Sequence, residues 1–216
     1  MSGDIMKRIV VVLASVMLLP LAQAMAFDAI RAQQDFTESY KQEAAGNLIG
    51  AITVTRETLK REPKYYDAMV RLGYLYNLSG AFTDAEEAYH KAIAIKSMAI
   101  EPQLGLMQVL GNKGKWDDVI KVGQSVLKID PNQYTAISRM AWAFYSKGDF
   151  NEAQKRYNQI LTLYPADIEM KLGLGWAHLK GGNKKEAERL FEEVLIVSPG
   201  NPRGLAGWNQ IKGKGK

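Results

Sequence analysis

The chain contains no cysteine, and only two histidines, His90 and His178, among its 216 residues. No disulfide can form, so stability has to come from packing alone. A lipid-anchored bacterial lipoprotein, which needs a cysteine directly after its signal, is excluded for the same reason. There is no His-Glu-x-x-His zinc motif, no Gly-x-Ser-x-Gly elbow and no phosphate-binding loop. His178 shares a sequence period with Tyr76 and Phe144 and is expected in a helix-packing layer as a hydrogen-bonded histidine, while His90 beside Lys91 belongs to a polar face. The adjacent carboxylates Glu86-Glu87 and Glu192-Glu193 would point about 100° apart on a helix and read as solvated faces, not as an acid–base pair. No catalytic residue, metal site or cofactor is expected.

Charge of one sign is also scarce. Lysine and arginine number 28 against 23 acidic residues, a formal charge of +5 that falls to +4 once residues 1–26 are set aside. The lysines of the terminal "KGKGK" supply much of the excess. No basic run is interleaved with aromatics, so a nucleic-acid partner is not expected.

Long apolar runs are confined to one place. Lys7 and Arg8 precede "IVVVLASVMLL" (Ile9 to Leu19), followed by Pro20 and "LAQAMA". A basic start, a short apolar core and an Ala-x-Ala end make residues 1–26 a secretory signal peptide, with cleavage after Ala26 favoured over Ala24. Eleven residues reach only about 16 Å as a helix against a hydrocarbon core of about 30 Å, too short for a comfortable membrane span. The mature chain is therefore expected in the periplasm without an integral span. Met6 opens a more usual "MKR" start than Met1.

Against these absences stands a repeat. Gly46, Gly80, Gly114, Gly148 and Gly182 are spaced by 34 residues, and Pro63, Pro131, Pro165 and Pro199 follow the same period with Ser97 in the gap. Ala51, Ala85, Ala153 and Ala187 keep it, with Val119 between, as do Tyr89, Tyr157 and Phe191. A sustained period of this length implies a stack of identical supersecondary units. In the second unit Met69, Leu72, Gly73 and Tyr76 mark one face of a helix, which Gly80 ends. "FTDAEEAYHKAIAI" starts a second helix, with Thr83 or Asp84 available as cap and Ala85, Tyr89 and Ala92 as its apolar stripe. The proline position stops that helix and opens the next unit. Gly73 and Ala85 let the two axes approach closely, and a helix pair with two apolar faces must stack on its neighbours.

At these residues the chain resembles the tetratricopeptide repeat family. The second unit carries the family pattern at Leu72, Gly73, Tyr76, Ala85, Tyr89 and Ala92, and the fifth at Leu174, Gly175, Ala187, Phe191 and Pro199, with His178 in an aromatic place. The fourth keeps Ala141, Phe144, Ala153, Tyr157 and Pro165; the third is loose, and the first keeps Gly46, Ala51 and Pro63. The resemblance implies an all-α fold: a right-handed α-solenoid spanning 27–213, with repeats at about 32–65, 66–99, 100–133, 134–167 and 168–201. A capping helix follows at about 202–212, with Asn201 as cap and Pro202 in its first turn.

The series Tyr40, Tyr74, Gln108, Trp142 and Trp176 follows the same period, two residues past the inward-facing pair of each first helix. Two residues turn a helix by about 200°, which points these side chains away from their own unit. In the family that face lines a concave groove for partners. An aromatic ladder there is expected to bind a peptide or helix of another protein, with Arg71, Asn77 and Arg139 adding hydrogen bonds. The alternative is that the rings merely pack repeat on repeat. The lysine–asparagine carboxylate clamp of some family members is absent: the groove places hold Phe36, Tyr40, Val70, Tyr74, Leu104 and Gln108. The expected function is a non-enzymatic adaptor of the bacterial cell envelope; a glycan-binding module of a polysaccharide export or cell-wall system is the second reading, since aromatic faces also stack on sugars.

Overall fold

The computed structural model describes residues 30–213; the signal-peptide expectation lies outside them. Eleven helices and no strand are found among the described residues. The first helix, α1, covers 30–44. It is followed by α2 (Leu48–Arg61), α3 (Tyr66–Leu78), α4 (Phe82–Ile95), α5 (Ile100–Asn112) and α6 (Trp116–Ile129). Then come α7 (Tyr134–Lys147), α8 (Phe150–Leu163), α9 (Ile168–Lys180), α10 (Lys184–Val197) and α11 (Pro202–Lys212). Each helix packs on the next, and every first helix from α3 to α9 also touches the first helix two places on. Second helices of adjacent pairs meet less closely. The stack therefore curves, with the first helices on its inner side.

Turn chemistry explains the period. At the end of α7, Gly148 takes φ 83°, and the amide of Asp149 closes back on the Phe144 carbonyl at 2.9 Å. Only glycine adopts that backbone without strain. The side chain of Asp149 then accepts from the Glu152 amide and starts α8. Asn47 and Asn183 cap their helices in the same way. In the second unit the expected caps fail. The residue after Gly80 is Ala81, so α4 starts without a side-chain cap, and Thr83 and Asp84 fall within its first turn. Asn201 caps α11 by accepting from Arg203 and Gly204, with Pro202 at the helix start.

Packing between pairs follows a size rule. The ring of Tyr89 on α4 lies against Gly105 on α5, where an added Cβ would sit 2.5 Å from Tyr89 Cε1. Tyr157 meets Gly173, and Phe191 meets Gly207, in the same way. Where the second helix carries a small residue, Thr55 or Gly123, the residue sixteen positions later is a large one, Arg71 or Arg139. In each of the three ring–glycine contacts one side is large and the other small, as close packing demands. In the third unit Gly123 departs from the aromatic pattern and leaves room for Met107 and Met140. Within a unit, Gly73 takes the face of Tyr89, and Gly175 takes the edge of Phe191.

Glu86 is a correction to the solvated-face reading. Its side chain is 18% exposed and accepts from Lys113 at 2.5 Å and from Lys115 at 2.9 Å, tying α4 to the turn after α5. Glu193 likewise pairs with Lys171 at 2.9 Å. The Lys113 hydrogen bond holds the Glu86 carboxyl below its ordinary value, against the upward push of burial and with help from Lys115. Glu86→Gln should cost about 1–2 kcal/mol at neutral pH, because two ammonium donors lose a charged acceptor. A carboxyl depressed in the folded state stabilises fully above its unfolded pKa and stops doing so as pH falls through the folded one. Urea midpoints of the wild type and Glu86→Gln should therefore differ at pH 7 and converge well below pH 4.5. A difference that persists in acid would show that shape, and not charge, is what Glu86 contributes.

Candidate functional site

The inner surface formed by α1, α3, α5, α7, α9 and α11 carries the periodic aromatic series. Tyr40 is 56% exposed, Tyr74 42% and Trp142 51%, and Gln108 is exposed between them. Trp176 differs. It is half-buried, edge-on to Phe191 with centroids 5.4 Å apart, and packs against the same buried cluster as Trp208 and Ile211 of the capping helix. The chain continues after the last repeat, so its last ring meets α11 instead of open solvent. Three rings of the ladder thus face the groove, and the fourth both faces it and holds the cap.

Two connected hollows result. The first, about 690 Å³, lies across α1, α3, α5 and α7 and contains Tyr40, Arg71, Tyr74, Gln108 and Arg139. The second has two lobes of about 380 and 410 Å³ that share Trp142, Tyr157, Gly173 and Arg203. Its inner lobe also holds Gln108 and Arg139, so the hollows adjoin. Its outer lobe is walled by Trp142, Tyr145 and Trp176, with Pro202 and Ala206 of the cap opposite. Trp142 and Tyr145 stack at 5.5 Å with planes 18° apart.

The polar residues expected along the groove are mostly committed to holding the units together. Arg71 is buried, 6% exposed, because its surroundings supply partners. Its Nε donates to Ser39 Oγ at 3.2 Å, Nη1 pairs with Glu43 at 2.6 Å, and the guanidinium lies 3.8 Å over the Tyr40 ring. Ser39 in turn meets Thr55 at 3.1 Å. The Arg71 Nη2 has no partner among the described residues. Glu43 also accepts from the Tyr74 hydroxyl at 2.8 Å. Burial raises the Glu43 carboxyl, but the hydrogen bonds from Tyr74 and Arg71 outweigh it and leave the group below its usual range. Arg139 donates to the Leu104 carbonyl and, at 3.1 Å, to Gln108 Oε1; burial lowers its pKa. Asn77 accepts from Asn112 at 3.1 Å. Arg71 and Arg139 are therefore inter-repeat fasteners at the groove, and Asn77 fastens through its carbonyl oxygen while its amide NH2 takes no part in that bond.

Tyr145 and Arg203 also line the groove and were not singled out by sequence, while Tyr157 was read there only as a packing residue. Arg203 follows Asp67, Glu101, Thr135 and Glu169 at the repeat period, and the last two members pair, Arg203 with Glu169 at 2.5 Å. His178 lies at the packing layer as expected, but its Nδ1 is buried with no hydrogen-bond partner among the described residues. Burial pushes its pKa below 6.5, which favours the neutral ring. Among the described residues there is no group of three or more His, Cys, Asp or Glu able to hold a metal, and no helix long and apolar enough to cross a membrane.

The tetratricopeptide repeat family model matches residues 41–98 and 138–202. Solved structures with a similar fold include a tetratricopeptide repeat protein from Parabacteroides merdae ATCC 43184, with TM-score 0.78 and 17% identity over 84% of this chain and 72% of that one. MamA (41-end) from Desulfovibrio magneticus RS-1 follows at TM-score 0.74 and 15% identity, covering 80% of this chain and 97% of its own. YrrB, a tetratricopeptide repeat protein with an unusual peptide-binding site, reaches TM-score 0.69 at 14% identity over 80% and 89%. No curated protein matches the sequence. At these identities the likeness is one of fold.

Proposed function

The chain belongs to the tetratricopeptide repeat family, and from that footing we propose that it is a non-enzymatic interaction scaffold of the cell envelope, binding a peptide or helical segment of another protein in its aromatic groove. One observation carries the reading: Tyr40, Tyr74 and Trp142 stand in one line on the concave side, each between two-fifths and three-fifths exposed. Large rings left half-solvated in a row are poor packing elements and good anchors, because a partner desolvates them only in the complex. YrrB supports the comparison by its peptide-binding site. The sugar-binding alternative gains little, since the outer lobe offers a single charged side chain, Arg203, for a sugar's hydroxyls.

A photoreactive amino acid placed at Trp142 should form a discrete adduct with one protein in envelope extracts. The same probe at the exposed Ser125, on a second helix, should not. Equal labelling from both positions would end the groove reading.

The envelope assignment rests on the N-terminal sequence. Fractionation with N-terminal sequencing should return a chain starting at Phe27 or Met25. Recovery of an intact Met1 or Met6 start from the membrane pellet would show an uncleaved anchor instead.

A further inference from the structure

Two tyrosines of the second helices reach the groove from behind. Tyr89 and Tyr157 are each 4% exposed, yet Tyr89 lines the first hollow and Tyr157 both lobes of the second. They do so because the facing residues are glycines. An added Cβ at Gly105 would lie 2.6 Å from the Tyr89 hydroxyl, and one at Gly173 would lie 2.5 Å from Tyr157 Cζ. Each glycine opens a window in the wall of first helices, and a phenol tip fills it. Glu101 and Arg139 line the first hollow together with Tyr89, and Arg203 lines the second together with Tyr157. Among the described residues neither hydroxyl has a hydrogen-bond partner, although packing fixes both rings. A hydroxyl open to a cavity on a side chain that is itself more than nine-tenths buried is a recognition element, since leaving it unpaired in a complex is costly.

Resting on the scaffold reading above, the geometry points to Tyr89 and Tyr157 as readers of the partner's main chain, and so to a partner segment bound extended, with a bulky apolar side chain in the lobe between Trp142 and Trp176. A helical ligand has already satisfied its backbone internally and offers nothing to a hydroxyl in mid-groove. An extended segment offers an N–H or C=O at every residue. The windows are two repeats apart, and with packed helices at about 8–10 Å they stand roughly 16–20 Å from each other. An extended chain covers that in about five or six residues at about 3.3 Å each. The apolar lobe adjoins the Tyr157 window, so the anchoring side chain belongs next to the main-chain group that Tyr157 reads.

The test uses the full chain and a phage-displayed library of random dodecapeptides, the selected peptide being resynthesised with single backbone esters. Tyr89→Phe and Tyr157→Phe keep the rings and remove only the hydroxyls, so melting should not move. Affinity should fall about three- to tenfold for each, the share of one hydrogen bond. An ester at the position read by Tyr157 should weaken binding to the wild type and cost nothing further in Tyr157→Phe. Equal affinity of the Phe variants, or a peptide with no ester-sensitive position, overturns the main-chain reading while the groove stands. Peptides whose binding survives Trp142→Ala overturn the groove itself, and this proposal with it.

Discussion

Gly173→Leu is expected to lower the thermal midpoint by about 4–10 °C, the effect of roughly 1–3 kcal/mol of overpacking on a chain of this size. A Cβ at this position lands 2.5 Å from Tyr157 Cζ, and the ring cannot retreat because it is packed among Ala141, Ala153, Leu174 and Leu190. Leucine is the better helix former by up to about 1 kcal/mol, which offsets only part of the clash. Stacked units couple mainly to their neighbours, so hydrogen-exchange protection should drop in α7–α11 and persist in α3–α6. The size rule also predicts a rescue. Tyr157→Ala combined with Gly173→Leu gives the leucine the space that the ring vacates, so the double variant should be more stable than the sum of the single losses by about 1 kcal/mol or more. Strict additivity would mean that the two positions do not share space.

The period was legible because it is written in local chemistry. Gly148 ends a helix by its own backbone freedom, and Asp149 starts the next with its own side chain. Where such a residue is missing, as at Ala81, the start of α4 is set by the preceding turn, and a cap inferred from Thr83 or Asp84 falls inside the helix. Long-range partners were the harder part. Arg71 reads as an exposed groove donor until Ser39, Glu43 and Thr55 of another unit are placed around it. Glu86 reads as solvated until Lys113 and Lys115 arrive from the next pair. The aromatic ladder was readable at the repeat period, but its last member depends on α11, which breaks the repeat. Tyr157 was identified as a packing residue. That it also reaches the groove follows only from its pairing with Gly173, sixteen positions away and on another helix.

Trp142 and Trp176 hold equivalent places in the repeat and should behave differently on mutation. Trp142→Ala removes a half-exposed ring whose main neighbour is Tyr145, so stability should change by less than about 1 kcal/mol. Affinity for the protein captured from position 142 should fall by about 2 kcal/mol or more, roughly thirtyfold in dissociation constant. Trp176→Ala strips the edge contact with Phe191 from the buried cluster on which Trp208 and Ile211 of the capping helix also pack. That change should cost roughly half of the 3–5 kcal/mol typical of a fully buried aromatic, and it should weaken binding as well, because the outer lobe loses a wall. Melts and titrations of the two single variants separate anchoring from packing, which a double mutant would blur. A large loss of melting temperature in Trp142→Ala, with binding reduced only in proportion to the unfolded fraction, would make the ladder structural throughout and remove the ground for a groove-bound partner.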